Sequence, residues 1–349
     1  MIDLDNINKA KSIIDNYERR VKFCFLPTPL QFLERLSTKL GVNLFLKRDD
    51  LTGPGVFGGN KGRKLEYLIG DALAKGASHI FTYGATQSNH VMQVATVCRK
   101  YGLKPVLYLS AIIEPEENEY RANLLVDKIL GAEIHILPGD INPDERHNLA
   151  LRHIADLEMK GNRCYDIPGG GANAIGSLGY IRGFIELVEQ ARNNNIGKMD
   201  YIAHATGSGG TLAGLLAGKA LLGSEVNILS FTVSNKTSDY QTEVINLANQ
   251  SLNLLNTECY VGTEYTNIDN NYYGEGYEIP TDEANNTIKL LAREEGILLD
   301  PVYTAKAMSG VIDYIKKGKI PIGSNVFFLY TGGVTALFSE KEILGNLLD

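Results

Sequence analysis

Lys61 stands between a glycine pair and an amphipathic stretch, in Phe57-Gly58-Gly59-Asn60-Lys61-Gly62-Arg63-Lys64-Leu65-Glu66. Glycines open backbone conformations closed to other residues and let a ligand come close. A lysine that loses its hydration there has a lowered pKa and a nucleophilic amine, as a Schiff-base lysine requires. Taken alone, Lys61 reads as one more solvated lysine ahead of a helix. A second signal is Thr206-Gly207-Ser208-Gly209-Gly210-Thr211, which follows the apolar run at 201–204 and opens a helical pattern at Leu212. A helix N-terminus offers free N–H groups and a partial positive charge, so such a loop can cradle a phosphate, with Ser208 or Thr211 adding hydroxyl donors. It is not a dinucleotide fingerprint, because the third glycine position is Leu212, and no Gly-Lys-Ser/Thr follows to make a P-loop.

Gly84-Ala85-Thr86-Gln87-Ser88-Asn89-His90 also lies between a strand pattern and a helix pattern. Ser88 or Asn89 can cap that helix. The same short polar side chains, with the first N–H groups of the helix, can also cradle a carboxylate. Tyr277 and Tyr303 are two of 18 tyrosines, and a tyrosine hydroxyl can shuttle a proton or hydrogen-bond a leaving group. Thr331-Gly332-Gly333 follows the last apolar run, and Gly169-Gly170-Gly171-Ala172 reads as a hinge or loop.

The elements that must hold these residues alternate between strand and helix. Short apolar runs at 44–46, 79–83, 106–109, 133–137, 201–204, 227–233 and 326–330 predict strands, and 63–75 and 89–101 predict helices. That alternation predicts an α/β fold with open, mostly parallel sheets covered by helices. Glycine-rich stretches at 53–62 and 169–171 bracket a βα pattern. The expected organisation is a large domain of residues 1–62 and 174–349 with a small domain, 63–173, inserted in it. A ligand would bind between the two.

Read together and in this order, the lysine segment, Gln87-Ser88-Asn89-His90, the Thr206–Thr211 loop, Asp300-Pro301-Val302-Tyr303-Thr304 and Thr331-Gly332-Gly333 resemble one family. It is the D-cysteine desulfhydrase and 1-aminocyclopropane-1-carboxylate deaminase family of pyridoxal 5'-phosphate enzymes. The resemblance runs from about Leu44 to Phe338 and implies the tryptophan-synthase-β-like fold, fold type II. It implies that Lys61 carries the cofactor, that Lys64 and the loop Thr206, Gly207, Ser208, Gly209, Gly210 and Thr211 hold its phosphate, and that Asn89 contacts its phenolic oxygen. It further implies that Gln87, Ser88, Asn89 and His90 receive the substrate carboxylate, with Ser88 beside the reacting carbon, and that Tyr277 and Tyr303 stand at the substrate. Thr331 would wall the pyridine side. Thr304 would stand near the pyridine nitrogen, where the deaminase branch has Glu. Thr304 and His90 agree with the desulfhydrase branch; Met92, where both branches commonly have Arg, is a departure.

The activity implied is β-elimination from a small amino acid, D-cysteine first, giving pyruvate, hydrogen sulfide and ammonia. The alternatives are 1-aminocyclopropane-1-carboxylate deamination, elimination from another β-substituted amino acid such as L-cysteate, and a catalytically silent amino-acid-binding protein, which should have lost Lys61. The chain has 349 residues, of which 44% are hydrophobic, and a net charge of −7. That length supports a large core, and that charge argues against a nucleic-acid partner. Cys24, Cys98, Cys164 and Cys259 have no Cys-x-x-Cys spacing and the six histidines are dispersed, so no metal site is expected. The acidic start and the lack of a long apolar run predict neither signal peptide nor membrane span, hence a cytoplasmic protein. The resemblance implies a homodimer.

Overall fold

The computed structural model describes residues 2–53, 58–115 and 119–348. Phe57 of the lysine segment, and 54–56 of the glycine-rich stretch before it, lie outside the described residues. In chain order the strands are β1 (Leu30–Phe32), β2 (Asn43–Lys47), β3 (His79–Ala85), β4 (Lys104–Ala111), β5 (Glu133–Pro138), β6 (Cys164–Ile167), β7 (Tyr201–Thr206), β8 (Asn227–Thr232), β9 (Ile268–Asp269) and β10 (Asn325–Leu329). They form a six-stranded sheet in the order β1-β2-β10-β7-β8-β9 and a four-stranded sheet in the order β5-β4-β3-β6. Among the described residues every pairing of these strands is parallel except β1 on β2.

Both faces of the larger sheet are buried, as a parallel sheet requires. Along β10 the pleat sends Phe327 into a core with Phe184, Leu212 and Leu216, while Val326 and Phe328 enter a second core with Met308 and Val311. The smaller sheet buries Ile80 against Leu65, Leu68 and Ile69 on one face. On its other face Phe81, Tyr83 and Tyr108 meet Ala150.

The apolar runs became strands close to the expected places, and the predicted helices are Asn60–Ala74 and Asn89–Lys100. The first begins three residues earlier than the apolar period suggests, so Lys61 lies within its first turn. Strands β1, β6 and β9 carry no strong apolar signal because they are short and only partly buried. The histidines are dispersed in sequence, yet the fold brings His135 and His153 to Glu133, with Nε2 to Oε1 separations of 2.9 and 3.5 Å.

Candidate active site

The segment before Lys61 is fixed from three sides. Gly59 exchanges hydrogen bonds with the Thr52 hydroxyl, its N–H donating at 2.8 Å and its carbonyl accepting at 2.9 Å. Gly59 also bridges to Gly332, and the Asn60 N–H donates to the Thr331 carbonyl at 3.1 Å. A Cβ at Gly58 would lie 2.3 Å from the Asp50 carbonyl oxygen, so close backbone approach demands glycine there. The Asn60 amide then donates to Thr211 Oγ1 at 3.0 Å, tying the start of this helix to the glycine loop. Lys61 opens onto a cavity of about 370 Å³. Burial lowers its pKa to about 8.

The glycine loop leaves the end of β7 and turns into the helix Gly210–Leu222. Gly209 has φ +83°, the left-handed region that favours glycine, and a Cβ there would meet Val244 Cγ2 at 2.8 Å. Thr206, Gly207, Ser208, Gly209 and Thr211 line the same cavity as Lys61. The first N–H groups of a helix have no intrahelical acceptor. Gly210 is absent from the lining, but a Cβ on it would stand 2.9 Å from Lys64 Nζ. Its missing side chain therefore lets Lys64 reach the loop. Lys64 is 1% exposed, donates to the Gly170 carbonyl at 3.0 Å, and has no carboxylate partner among the described residues. Burial, and then the charge of Lys61, hold its pKa well below the ordinary value.

Ser88 caps the helix Asn89–Lys100 by accepting the Val91 N–H, and also lines the cavity with Asn89 and His90. Capping and wall roles thus coincide. Asn89 Oδ1 accepts from Asn123 Nδ2 at 2.8 Å and from Thr335 Oγ1 at 3.3 Å, which leaves its amide N–H groups for a ligand. Asn123 also donates to the Gln87 carbonyl at 2.8 Å. The Gln87 side chain turns away from the cavity, donating to Glu340 and accepting the Asn123 N–H. Thr82 Oγ1 donates to the Ile167 carbonyl, so the 2.8 Å contact with His90 Nε2 makes that nitrogen the donor. His90 Nδ1 is then a bare acceptor, without a partner among the described residues. Burial, and then the charges of Lys61 and Lys64, keep this imidazole neutral. Met92 is buried and outside the lining.

Tyr277 and Tyr303 line the cavity, and their hydroxyls are hydrogen-bonded to each other. Their rings meet edge to face with centroids 5.6 Å apart. Burial raises both pKa values, so both hydroxyls stay protonated. Glu278, next in the chain, has φ +62° and is 2% exposed, and neither of its carboxylate oxygens has a partner among the described residues. Thr331 lines the cavity, whereas Thr304 does not. The Thr304 hydroxyl is held 2.5 Å from Asp300 Oδ1, and Asp300 also accepts the N–H groups of Val302, Tyr303 and Thr304. Thr304 is therefore engaged in closing the N-terminus of the helix Thr304–Lys316. Sequence reasoning missed Asn123, Asp300 and the cavity-lining Arg146. Asp300 lay inside a motif but carried no separate signal; Asn123 and Arg146 reach the site only through tertiary convergence.

A desolvated lysine, a second buried lysine amine with no carboxylate among the described residues and a glycine loop at a helix N-terminus together suit an aldehyde carrying a phosphate. On a two-sheet parallel α/β fold they define the fold type II class of pyridoxal-phosphate enzymes. Residues 21–332 match the pyridoxal-phosphate-dependent enzyme family. The chain is 41% identical over 330 residues to a Thermotoga maritima protein named putative 1-aminocyclopropane-1-carboxylate deaminase, covering 93% of this chain and 99% of that one. A Pyrococcus abyssi protein of the same name is 41% identical over 322 residues, covering 92% and 93%. The crystal structure of a 1-aminocyclopropane-1-carboxylate deaminase homologue superposes with a TM-score of 0.88 at 36% identity, over 97% of this chain and 99% of that one. O-ureido-L-serine synthase, with a TM-score of 0.64 at 17% identity and covering 97% and 95%, shares the fold. The chain belongs to the pyridoxal-phosphate-dependent enzymes, within the 1-aminocyclopropane-1-carboxylate deaminase and D-cysteine desulfhydrase family. Its cofactor is pyridoxal 5'-phosphate.

Proposed function

We propose that this enzyme is a lyase that eliminates the β-substituent of a small amino acid, with D-cysteine as the first substrate. The observation that carries this reading is the absence of any Asp or Glu from the described cavity lining, together with the engagement of Thr304 by Asp300. A ring nitrogen on that side would lack an anionic partner, and its electron withdrawal would be moderate. That suffices where loss of a Cα proton is followed by departure of a good leaving group, and suits the opening of a cyclopropane less well.

When bound, pyridoxal phosphate supplies an electron sink for charge developing at Cα. Lys64 and the N–H groups of residues 207–211 would hold its phosphate, and the Asn89 amide, oriented by Asn123, would donate to its phenolic oxygen. Lys61 would anchor the cofactor, and its amine would take the Cα proton; a pKa of about 8 leaves part of this amine free near neutral pH. Ser88, Asn89 and the start of their helix hold the substrate carboxylate, while Gln87 supports them from behind. His90 Nδ1 accepts a hydrogen bond from the substrate's amino group. The Tyr277 and Tyr303 hydroxyls pass a proton to the departing sulfur.

A second reading has support in the names of the Thermotoga and Pyrococcus relatives: deamination of 1-aminocyclopropane-1-carboxylate. One assay separates the two. D-Cysteine should yield pyruvate and sulfide, and the cyclopropane acid little or no 2-oxobutyrate. Robust 2-oxobutyrate with no pyruvate from D-cysteine would reverse the assignment. By the same resemblance we expect a homodimer, and by the glycine-rich stretches a small domain of residues 63–173, which light scattering and limited proteolysis would check; the sequence reading of a cytoplasmic protein stands beside them as an expectation.

A further inference from the structure

The cavity wall carries three cations among its described residues, Lys61, Arg146 and Lys236. Lys236 lies over the Tyr240 ring at 5.1 Å, and the Tyr240 hydroxyl is 2.7 Å from Thr206 Oγ1, so it belongs to the glycine-loop end. Arg146 stands elsewhere, on the helix Pro143–Met159. Its Nη1 donates to Ser110 Oγ at 2.5 Å and to the Gly84 carbonyl at 3.3 Å, and its guanidinium lies 5.8 Å from the centre of the Tyr83 ring. Gly84 abuts the carboxylate cradle: a Cβ on it would be 2.7 Å from Ser88 Oγ. The guanidinium has no carboxylate partner among the described residues, and its buried Nε has no hydrogen-bond partner at all among them. A half-buried cation without a counter-ion is costly unless an anion completes it.

We propose that Arg146 forms a subsite for an oxyanion carried at the β-position of the substrate, a sulfonate or a phosphate ester. The inference rests on the β-elimination reading above. The α-carboxylate already has Ser88, Asn89 and the helix N-terminus, so Arg146 is left for a second anion. Its planar fork suits sulfonate and phosphate oxygens, which accept two parallel N–H bonds. With cysteate, the Cα proton goes to the Lys61 amine. The Cβ–S bond breaks, its electron pair leaving with sulfur as sulfite. Water then hydrolyses the enamine to pyruvate and ammonium. Arg146 holds the sulfonate oxygens, which are present before the bond breaks, so its contribution is to binding.

The test compares wild-type holoenzyme with Arg146→Met, Arg146→Lys and Ser110→Ala, using both enantiomers of cysteate, O-phosphoserine and β-chloroalanine. For the oxyanion substrates, kcat/KM should fall at least tenfold in Arg146→Met, mostly through KM, and less in Arg146→Lys and Ser110→Ala. β-Chloroalanine, whose side chain is neutral, should stay within about twofold. An equal fall for both classes would mean that Arg146 serves the α-carboxylate or only the fold, and would overturn the proposal. Failure of the wild type to accept any oxyanion substrate while it turns over β-chloroalanine would do the same. If the wild type turns over nothing, the β-elimination reading falls, and calorimetric binding to the holoenzyme decides the subsite. Cysteate should then bind at least tenfold tighter than alanine to the wild type and not to Arg146→Met; equal binding would end the proposal.

Discussion

Arg63 and Lys64 are neighbours on one helix, both 1% exposed, and their surroundings are opposite. Arg63 donates to both oxygens of Asp49 at 2.8 and 2.9 Å and to both oxygens of Glu186 at 2.8 and 3.0 Å. Tyr180 donates to Asp49 at 2.6 Å, and Lys47 donates to Glu186 at 2.5 Å. Burial pushes the Asp49 and Glu186 pKa values up, but the cations outweigh it and hold both carboxyls below their ordinary range. Lys64, one residue on, has one carbonyl and a lowered pKa. Every charge in the first region is answered from within the chain, and its product is shape. In the second no such answer stands among the described residues, and the cofactor and substrate proposed above would supply it: an anion beside the loop, an aldehyde beside Lys61, a donor beside His90 Nδ1.

Substitutions at these positions should behave as differently as their surroundings. Lys61→Ala is expected to reduce pyruvate release from D-cysteine by about 10³-fold or more, the scale of a lost general base, while leaving the melting curve of the cofactor-free protein nearly unchanged. Borohydride reduction and peptide mapping should place the cofactor on Lys61; a label on Lys47 or Lys306 would break the comparison at its root. Arg63→Met should act through the fold, costing about 3–5 kcal/mol in chemical denaturation by leaving Asp49 buried without its cation and Glu186 with Lys47 alone. Lys64→Met should weaken cofactor binding by about tenfold to a hundredfold, as for a lost charge-assisted hydrogen bond of about 1.5–3 kcal/mol. The cofactor-free variant should be no less stable than the wild type; a loss like that of Arg63→Met would show that Lys64 is structural.

The smallest effect concerns Glu278, whose pKa is raised to about 8 by burial first and the Glu340 charge second, against Lys306. Its folded pKa lies above its ordinary value of 4.5, so between those values the unfolded chain releases a proton that the folded chain keeps. Stability therefore falls as pH rises through that window. Glu278→Gln should remove this slope, raising Tm at pH 8 more than at pH 5 in paired melting curves.

Much of this contrast was legible in the chain, for a physical reason. Lys61 and the loop 206–211 announce themselves because glycines next to one reactive side chain are a local signature. The buried strands β3, β4 and β10 are legible because both of their faces must be apolar. The orientation of Asn89 was not, since it depends on Asn123 arriving from another helix. The role of Thr304 was read from its place beside Tyr303, but its hydroxyl is claimed by Asp300 four residues earlier, a local cap that motif matching does not weigh. A side chain at Gly209 would collide with Val244, so that glycine serves the turn as well as any ligand. Arg146 is invisible in sequence because its chain neighbours in the lining, Gly139, Ile141 and Pro143, carry no chemistry that would mark a site.

The bridge between Gly59 and Gly332 has a bearing on how the protein is made. The backbone that aims Lys61 is completed by a stretch that leaves the ribosome long after it. A nascent chain with the lysine, the loop and the cradle already outside the exit tunnel still lacks the strand end that pins the lysine's helix. Capture of the cofactor should therefore wait until the residues around Gly332 are made, and chains truncated before Thr331 should emerge colourless however well their smaller sheet has folded.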